Sequence, residues 1–115
     1  MSKIKRFESG PRMSKAVRYG DTIYLAGQVG TGATVAEQAK SALAEVERVL
    51  ELAGGSKSTI LSVTVWLADM NDFAEMNAVY DAWVDPENKP ARAAGEAKLA
   101  TPDYRVEFIV VAARA

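Results

Sequence analysis

The segment Pro90-Ala91-Arg92-Ala93-Ala94-Gly95-Glu96 sets one guanidinium among small side chains. Arginine presents a planar fork of donors that matches a carboxylate with two parallel hydrogen bonds. Small neighbours let a ligand come close to the adjoining backbone. Arg92 is therefore a candidate clamp for a small organic acid, with an intersubunit salt bridge as its structural alternative. Glu96 and Glu107 fall on strand-like segments beside it. Each is a candidate for activating water, and each could instead pair across strands with Lys98 or Arg105. Asn77 stands in an otherwise apolar helical stripe, where a buried amide needs several partners. It either anchors a loop or faces a polar pocket.

The rest of the composition narrows the chemistry. The 115 residues contain no cysteine and no histidine. Disulfides, thiolate nucleophiles and zinc–thiolate sites are thereby excluded, along with the usual neutral-pH base. No metal site and no cofactor is expected. The glycines of Gly27-Gln28-Val29-Gly30-Thr31-Gly32 follow a strand and precede a helix. Their order does not fit a dinucleotide fingerprint, and no Lys-Ser/Thr pair follows Gly32. A flexible strand-to-helix loop that can still line a pocket is the expectation.

Charge is uneven along the chain. Lys3, Lys5, Arg6, Arg12, Lys15 and Arg18 face only Glu8 in the first twenty residues, although the net charge is −1. This reads as the wet, basic face of a strand, with a phosphate-binding arm as the functional alternative. No apolar run approaches the ~20 residues of a membrane span. A soluble, cytoplasmic single domain spanning residues 1–115 is expected, with no membrane partner.

The positioning elements follow from periodicity. Residues 3–8 alternate loosely as an edge strand, and residues 16–19 and 22–26 flank Gly20-Asp21 as a tight hairpin. Thr34 and Glu37 form a capping box for a helix. Its stripe is Val35, Ala39, Ala42, Leu43, Val46, Val49, Leu50 and Ala53, and Gly54-Gly55 stops it. Residues 59–68 form a β-branched strand. Asp69 to Asp72, with Glu75, cap a second helix whose inward stripe is Phe73, Met76, Asn77, Tyr80, Trp83 and Val84. Pro86 and Pro90 bracket a turn. Strands at 92–99 and 104–113 close the chain, in the order β-β-β-α-β-α-β-β. Tyr24, Trp66, Tyr80 and Trp83 are assigned to the core by default. In the last strand Tyr104, Val106, Phe108 and Val110 share one face, while Ile109 and Val111 lie on the other beside Arg105 and Glu107. Helices on one side bury only one of these faces, so the other needs a partner and a homo-oligomer is expected.

Together these residues resemble the Rid (YjgF) family over nearly the full length. The carrying segments are Tyr24-Leu25-Ala26-Gly27-Gln28, Val35 through Gly54, Thr64 through Phe73, Asn77-Ala78-Val79-Tyr80, Pro90-Ala91-Arg92 and Val106-Glu107-Phe108. The resemblance implies an α+β, chorismate-mutase-like sandwich: one mainly antiparallel sheet with two helices packed on one face. It implies a homotrimer with clefts between subunits, and hydrolysis of 2-imino or enamine acids to 2-keto acids and ammonia. Arg92 would hold the substrate carboxylate, and the backbone of Ala94 would help hold substrate or water, with Met13, Gly27 and Asn77 lining the site. Glu107 would orient water. Counting along the last strand puts the family's glutamate at Ile109, with Glu107 on the same face two residues earlier. Ala94 replaces a frequent cysteine, Ala26 a serine, Gly95 a larger apolar residue, and Arg12 or Met13 a tyrosine. Two other readings are a non-catalytic trimer that binds or senses small carboxylates, and a ribonuclease or translation inhibitor. The latter rests on the basic N-terminal segment alone, and nucleic acid is not the expected partner.

Overall fold

The computed structural model describes residues 3–115. Its strands are β1 (Ile4–Ser9), β2 (Ser14–Tyr19), β3 (Thr22–Leu25), β4 (Ile60–Leu67), β5 (Ala91–Glu96) and β6 (Val106–Ala113). The helices are α1 (Val35–Ala53) and α2 (Phe73–Trp83), with short 3₁₀ turns at Lys57–Thr59 and Met70–Asp72. All six strands form one sheet in the order β1-β2-β3-β6-β4-β5. Only β4 and β5 run parallel, because α2 carries the chain across between them. The expected α+β sandwich with a mainly antiparallel sheet is what forms.

The sheet's inner face and α1 supply most of the core. Residues Val106, Phe108, Val110 and Ala112 alternate inward along β6, meeting Ile23, Leu25, Val63, Val65 and Leu67 from neighbouring strands. Against them α1 lays Val35, Ala39, Ala42, Leu43, Val46, Val49, Leu50 and Ala53, all buried at helical spacing. At its start the Thr34 hydroxyl accepts from the Glu37 amide at 3.1 Å. The Glu37 carboxylate accepts from that same hydroxyl rather than from the Thr34 amide, so the box is half formed. At its end Gly54 takes φ 97°, and its amide and that of Gly55 bond Glu51 O and Leu50 O. A left-handed residue is needed there, and glycine adopts it without a Cβ penalty.

Several expectations change at the edges. The strand expected at 92–99 ends at Glu96, which leaves Lys98 and Leu99 outside it. The last strand begins at Val106, so Tyr104 lies outside it and only Val106, Phe108 and Val110 of the expected set alternate within it. Asp72 makes no side-chain cap. Asp69 caps the 3₁₀ turn instead, accepting from Asn71 N at 2.9 Å. Glu75 leaves its own helix and accepts from Ala36 N at 3.1 Å, in the first turn of α1. The orphan amides of the longer helix thus take the carboxylate. The glycine loop is packed rather than flexible: a Cβ on Gly30 would stand 2.6 Å from Ala42 N.

The aromatic default fails in one place. Tyr80 is buried, and Trp66 and Trp83 are half-buried, but Tyr24 is exposed on the sheet's outer face. That face also carries Val17, Ile109, Val111, Thr64 and Trp66, in register across β2, β3, β6 and β4. Both faces of the sheet are therefore apolar in part, and helices cover one. No helix among the described residues is long and apolar enough to cross a membrane.

Candidate functional site

Arg92 lies on β5, an edge strand whose residues are almost all exposed. Its register partner is the buried Val63, so its side chain is on the sheet face that α2 covers. There its Nη1 donates to Asn77 Oδ1 at 2.7 Å. The guanidinium carbon is 4.8 Å from the Tyr80 ring centroid and 5.8 Å from that of Phe73. Each such contact at an exposed site is worth about 0.5–1 kcal/mol. Three side chains of α2, one turn apart along the helix, thus fix a cation that the solvent can still reach. Burial pushes the Tyr80 phenol above its ordinary range, and the Arg92 charge opposes that rise. Tyr80 accordingly remains a neutral surface for the guanidinium at neutral pH.

This answers what Asn77 is for. Of the two expectations, the amide's partner is not a loop but the exposed Arg92, whose guanidinium it holds. Ala94 occupies the same side of β5, opposite Val65. Because β5 pairs with β4 alone, half of its backbone groups face away from the sheet and remain available to a ligand. Glu96 is not a free acid. Its carboxylate accepts from Met70 N at 3.0 Å and closes the 3₁₀ turn before α2. It forms no ion pair with Lys98, and Glu107 forms none with Arg105; the ion pairs among the described residues belong to Arg48.

Glu107 belongs to the opposite face. It pairs with Trp66, between inward-facing Val106 and Phe108, and its carboxylate reaches the backbone of Gly27. A Cβ on Gly27 would stand 3.0 Å from Glu107 Cδ and closer still to one carboxylate oxygen. Gln28 fixes that loop by exchanging backbone bonds with Phe108, at 2.8 and 2.9 Å. Ile109 shares the outer face but pairs with Thr64, one step further along the strand. Of the two positions, Glu107 is the one whose acid group meets Gly27. Met13, just before β2, is half exposed.

The sheet therefore divides the expected site residues. Arg92, Ala94 and Asn77 are on the helix-covered side at the β5 edge, and Gly27 and Glu107 are on the outer side. A concavity of about 600 Å³ lies beyond β5 between Ala68, Glu96, Lys98, Leu99, Pro102 and Tyr104. None of Arg92, Asn77, Gly27 or Glu107 lines it. One residue that holds the glycine loop in place is not among the sequence-based candidates. Buried Gln38 donates to Gly32 O (3.1 Å) and Asp103 O (2.9 Å) and accepts from Arg105 N (2.8 Å). It joins the glycine loop to the start of β6, and its position on the buried side of α1 between Val35 and Ala42 was the available signal.

Comparison with known proteins is consistent along the whole chain. Residues 3–114 match the family described as Endoribonuclease L-PSP. The chain belongs to this family, also called YjgF, RutC or Rid. The RutC family protein YoaB of Escherichia coli K12 is 41% identical over 111 residues, covering 96% of this chain and 97% of that one. A 2-iminobutanoate/2-iminopropanoate deaminase of Mus musculus is 36% identical over 107 residues, covering 86% and 78%. Among solved structures, the YjgF-family protein NMB1025 of Neisseria meningitidis superposes with a TM-score of 0.97 at 43% identity, over 98% and 96% of the two chains. That superposition shows that the two proteins share one fold.

Proposed function

We propose that this Rid-family chain hydrolyses 2-imino acids to 2-keto acids and ammonia, in clefts between the subunits of a homotrimer. The observation that carries the reading is the preorganised Arg92: exposed, held by Asn77 and backed by two aromatic rings. Such a group suits a substrate carboxylate, bound in two parallel charge-assisted hydrogen bonds. The mouse relative's deaminase activity supports the reaction class. Because Glu107 and Gly27 lie across the sheet from Arg92, a complete pocket draws Arg92 and Ala94 from one subunit and Gly27, Met13 and Glu107 from its neighbour. The uncovered apolar outer face supports that association.

The chemistry asks little of the protein. An imine carbon is already electrophilic, so fixing it beside a water supplies much of the acceleration. Arg92 holds the carboxylate, and Glu107 accepts a proton as the water oxygen bonds to C2. Glu107 gives that proton to the imine nitrogen. The hydroxyl proton of the tetrahedral adduct then passes to the same nitrogen by way of the carboxylate. The C–N bond breaks as C=O forms, releasing ammonia and the 2-keto acid with Glu107 again ionised. Neither a thiol at position 94 nor a metal enters these steps.

The test is ammonia release from freshly generated small and bulky 2-imino acids. Loss of two charge-assisted bonds, at about 1.5 kcal/mol each, lowers kcat/KM of Arg92→Ala about 100-fold or more. Mixing Arg92→Ala with Glu107→Gln subunits restores turnover that neither variant has alone, and failure to restore it overturns the shared pocket. No acceleration over the spontaneous rate by the wild type rejects the enzyme reading. The reading that remains is a carboxylate-binding trimer, which needs Arg92 and Asn77 only.

A further inference from the structure

At the opposite edge of the sheet from Arg92, Lys3, Lys5, Arg18 and Arg114 line a cleft of about 240 Å³ with Gly20. The cleft sits at the C-terminal end of α1. There Arg18 Nη1 donates to Ala53 O at 2.6 Å, and a Cβ on Gly54 would stand 3.9 Å from Arg114 Nε. No carboxylate is among the lining residues.

Complementing the helix end explains one of these cations and not the others. A helix C-terminus carries roughly half a negative charge. Its last carbonyls already accept from the Gly54 and Gly55 amides and from Arg18. Among the described residues Lys3, Lys5 and Arg114 form no ion pair; those present are made by Arg48 with Glu8 and Glu45.

The pairing of the strands sharpens the point. Lys5 and Arg18 are direct partners across β1 and β2, and like charges placed opposite one another in a ladder destabilise it. Phe7 holds both, 5.5 Å from Lys5 Nζ and 5.4 Å from the Arg18 guanidinium carbon. Two cations are thus drawn toward one ring at the solvent-facing edge, and two more line the same cleft. A local conflict of this kind marks a functional site when a ligand resolves it.

We propose that this cleft binds the diphosphate group of a small phosphorylated metabolite, at a site independent of Arg92. A monocarboxylate would neutralise one of four charges, whereas a diphosphate offsets most of them. The cleft is smaller than the roughly 300–1,000 Å³ of sites that enclose a drug-sized ligand, so it takes the charged group and leaves the remainder outside.

The experiment titrates the full chain with inorganic pyrophosphate, inorganic phosphate, a nucleoside diphosphate and a single-stranded oligonucleotide, read by calorimetry and amide NMR. Pyrophosphate is expected to saturate one site per chain, bind at least tenfold more tightly than phosphate, and shift the amides of Arg18, Gly20 and Arg114. Lys5→Gln and Arg114→Gln, both exposed substitutions that leave the Arg18 cap in place, weaken it at least tenfold, while Arg92→Ala does not change it. A nucleoside diphosphate that shifts the same amides more tightly than pyrophosphate identifies a nucleotide as the source; equal affinity identifies the free diphosphate. Absence of saturable binding overturns the proposal. So do shifts centred on Arg92, or oligonucleotide binding without a pyrophosphate response.

Discussion

The two helices make different bargains with the same sheet. Helix α1 spans 19 residues and buries nine of them, including one side chain from each turn, against β2, β3 and β6. Helix α2 spans 11 and fully buries only Met76 and Tyr80. The strands differ in the same sense: β6 alternates buried and half-buried throughout, while β5 is exposed at five of six positions. One half of the molecule is finished within the chain. The other half is held in shape but left open, and it carries Arg92. Arg92 thus stands where packing is lightest, so it can be altered with limited cost to stability, whereas Glu107 stands on the well-packed β6.

Core substitution in the finished half is the most severe test of that division. Leu43 is fully buried beneath the sheet, and Leu43→Ala is expected to cost about 2–5 kcal/mol in urea unfolding. A comparable loss from Ala94→Ser in β5 would break the comparison, since that position is exposed. In the open half, Asn77→Ala frees Arg92 from its anchor. Loss of one charged hydrogen bond, about 1.5 kcal/mol, lowers kcat/KM about tenfold, with unfolding changed far less than by Leu43→Ala. Steady-state kinetics beside a denaturation curve checks both statements. Asn77→Asp sharpens it further, because an adjacent carboxylate competes with substrate for the guanidinium and raises KM more than it lowers kcat.

The smallest effect concerns how β1 is tied to the finished half. Arg48 of α1 donates to both Glu8 oxygens at 2.9 Å, and also pairs with Glu45. The hydrogen bond from Arg48 holds the Glu8 carboxyl below its usual range; desolvation opposes it, and the charges of Arg48 and Lys15 add lesser lowering effects. A lowered folded-state pKa means stability that is present above the unfolded value and is lost as pH falls through the folded one. Thermal unfolding of the wild type is therefore expected to drop slightly more than that of Glu8→Gln as pH falls from neutral through the acid carboxylate range. Because Glu8 is exposed and screened, the difference is small and shrinks with added salt.

Much of this division was legible in the sequence. The 3.6-residue stripe of α1 with its Thr34 and Gly54 boundaries fixed that helix, and the period-2 pattern of Val106 to Val110 fixed β6. These signals are strong because a buried face constrains every residue on it. The ends of β5 were less clear, since alanines and Gly95 carry no alternation to read. Arg92 and Asn77 were each identifiable as candidates by type. Their hydrogen bond was not, because it joins residues that α2 and β5 bring together only after the crossover. The role of Glu75 was hidden for the same reason: its local spacing from Asp72 suggested one helix, while the unpaired amide it serves belongs to another. Tyr24 departs from the core default because large aromatics are buried on average, whereas the face it occupies is one that a single chain does not cover.

The close approach of Gly27 and Glu107 carries a consequence for how such a site can change over descent. The glycine leaves a vacancy shaped like the carboxylate that fills it, and the obstacle to a larger residue is the far end of a flexible side chain. Alanine at position 27 would displace that acid without unfolding the strand. The two positions therefore form an epistatic pair, and a lineage that enlarges one must first shorten the other to keep its carboxylate in place.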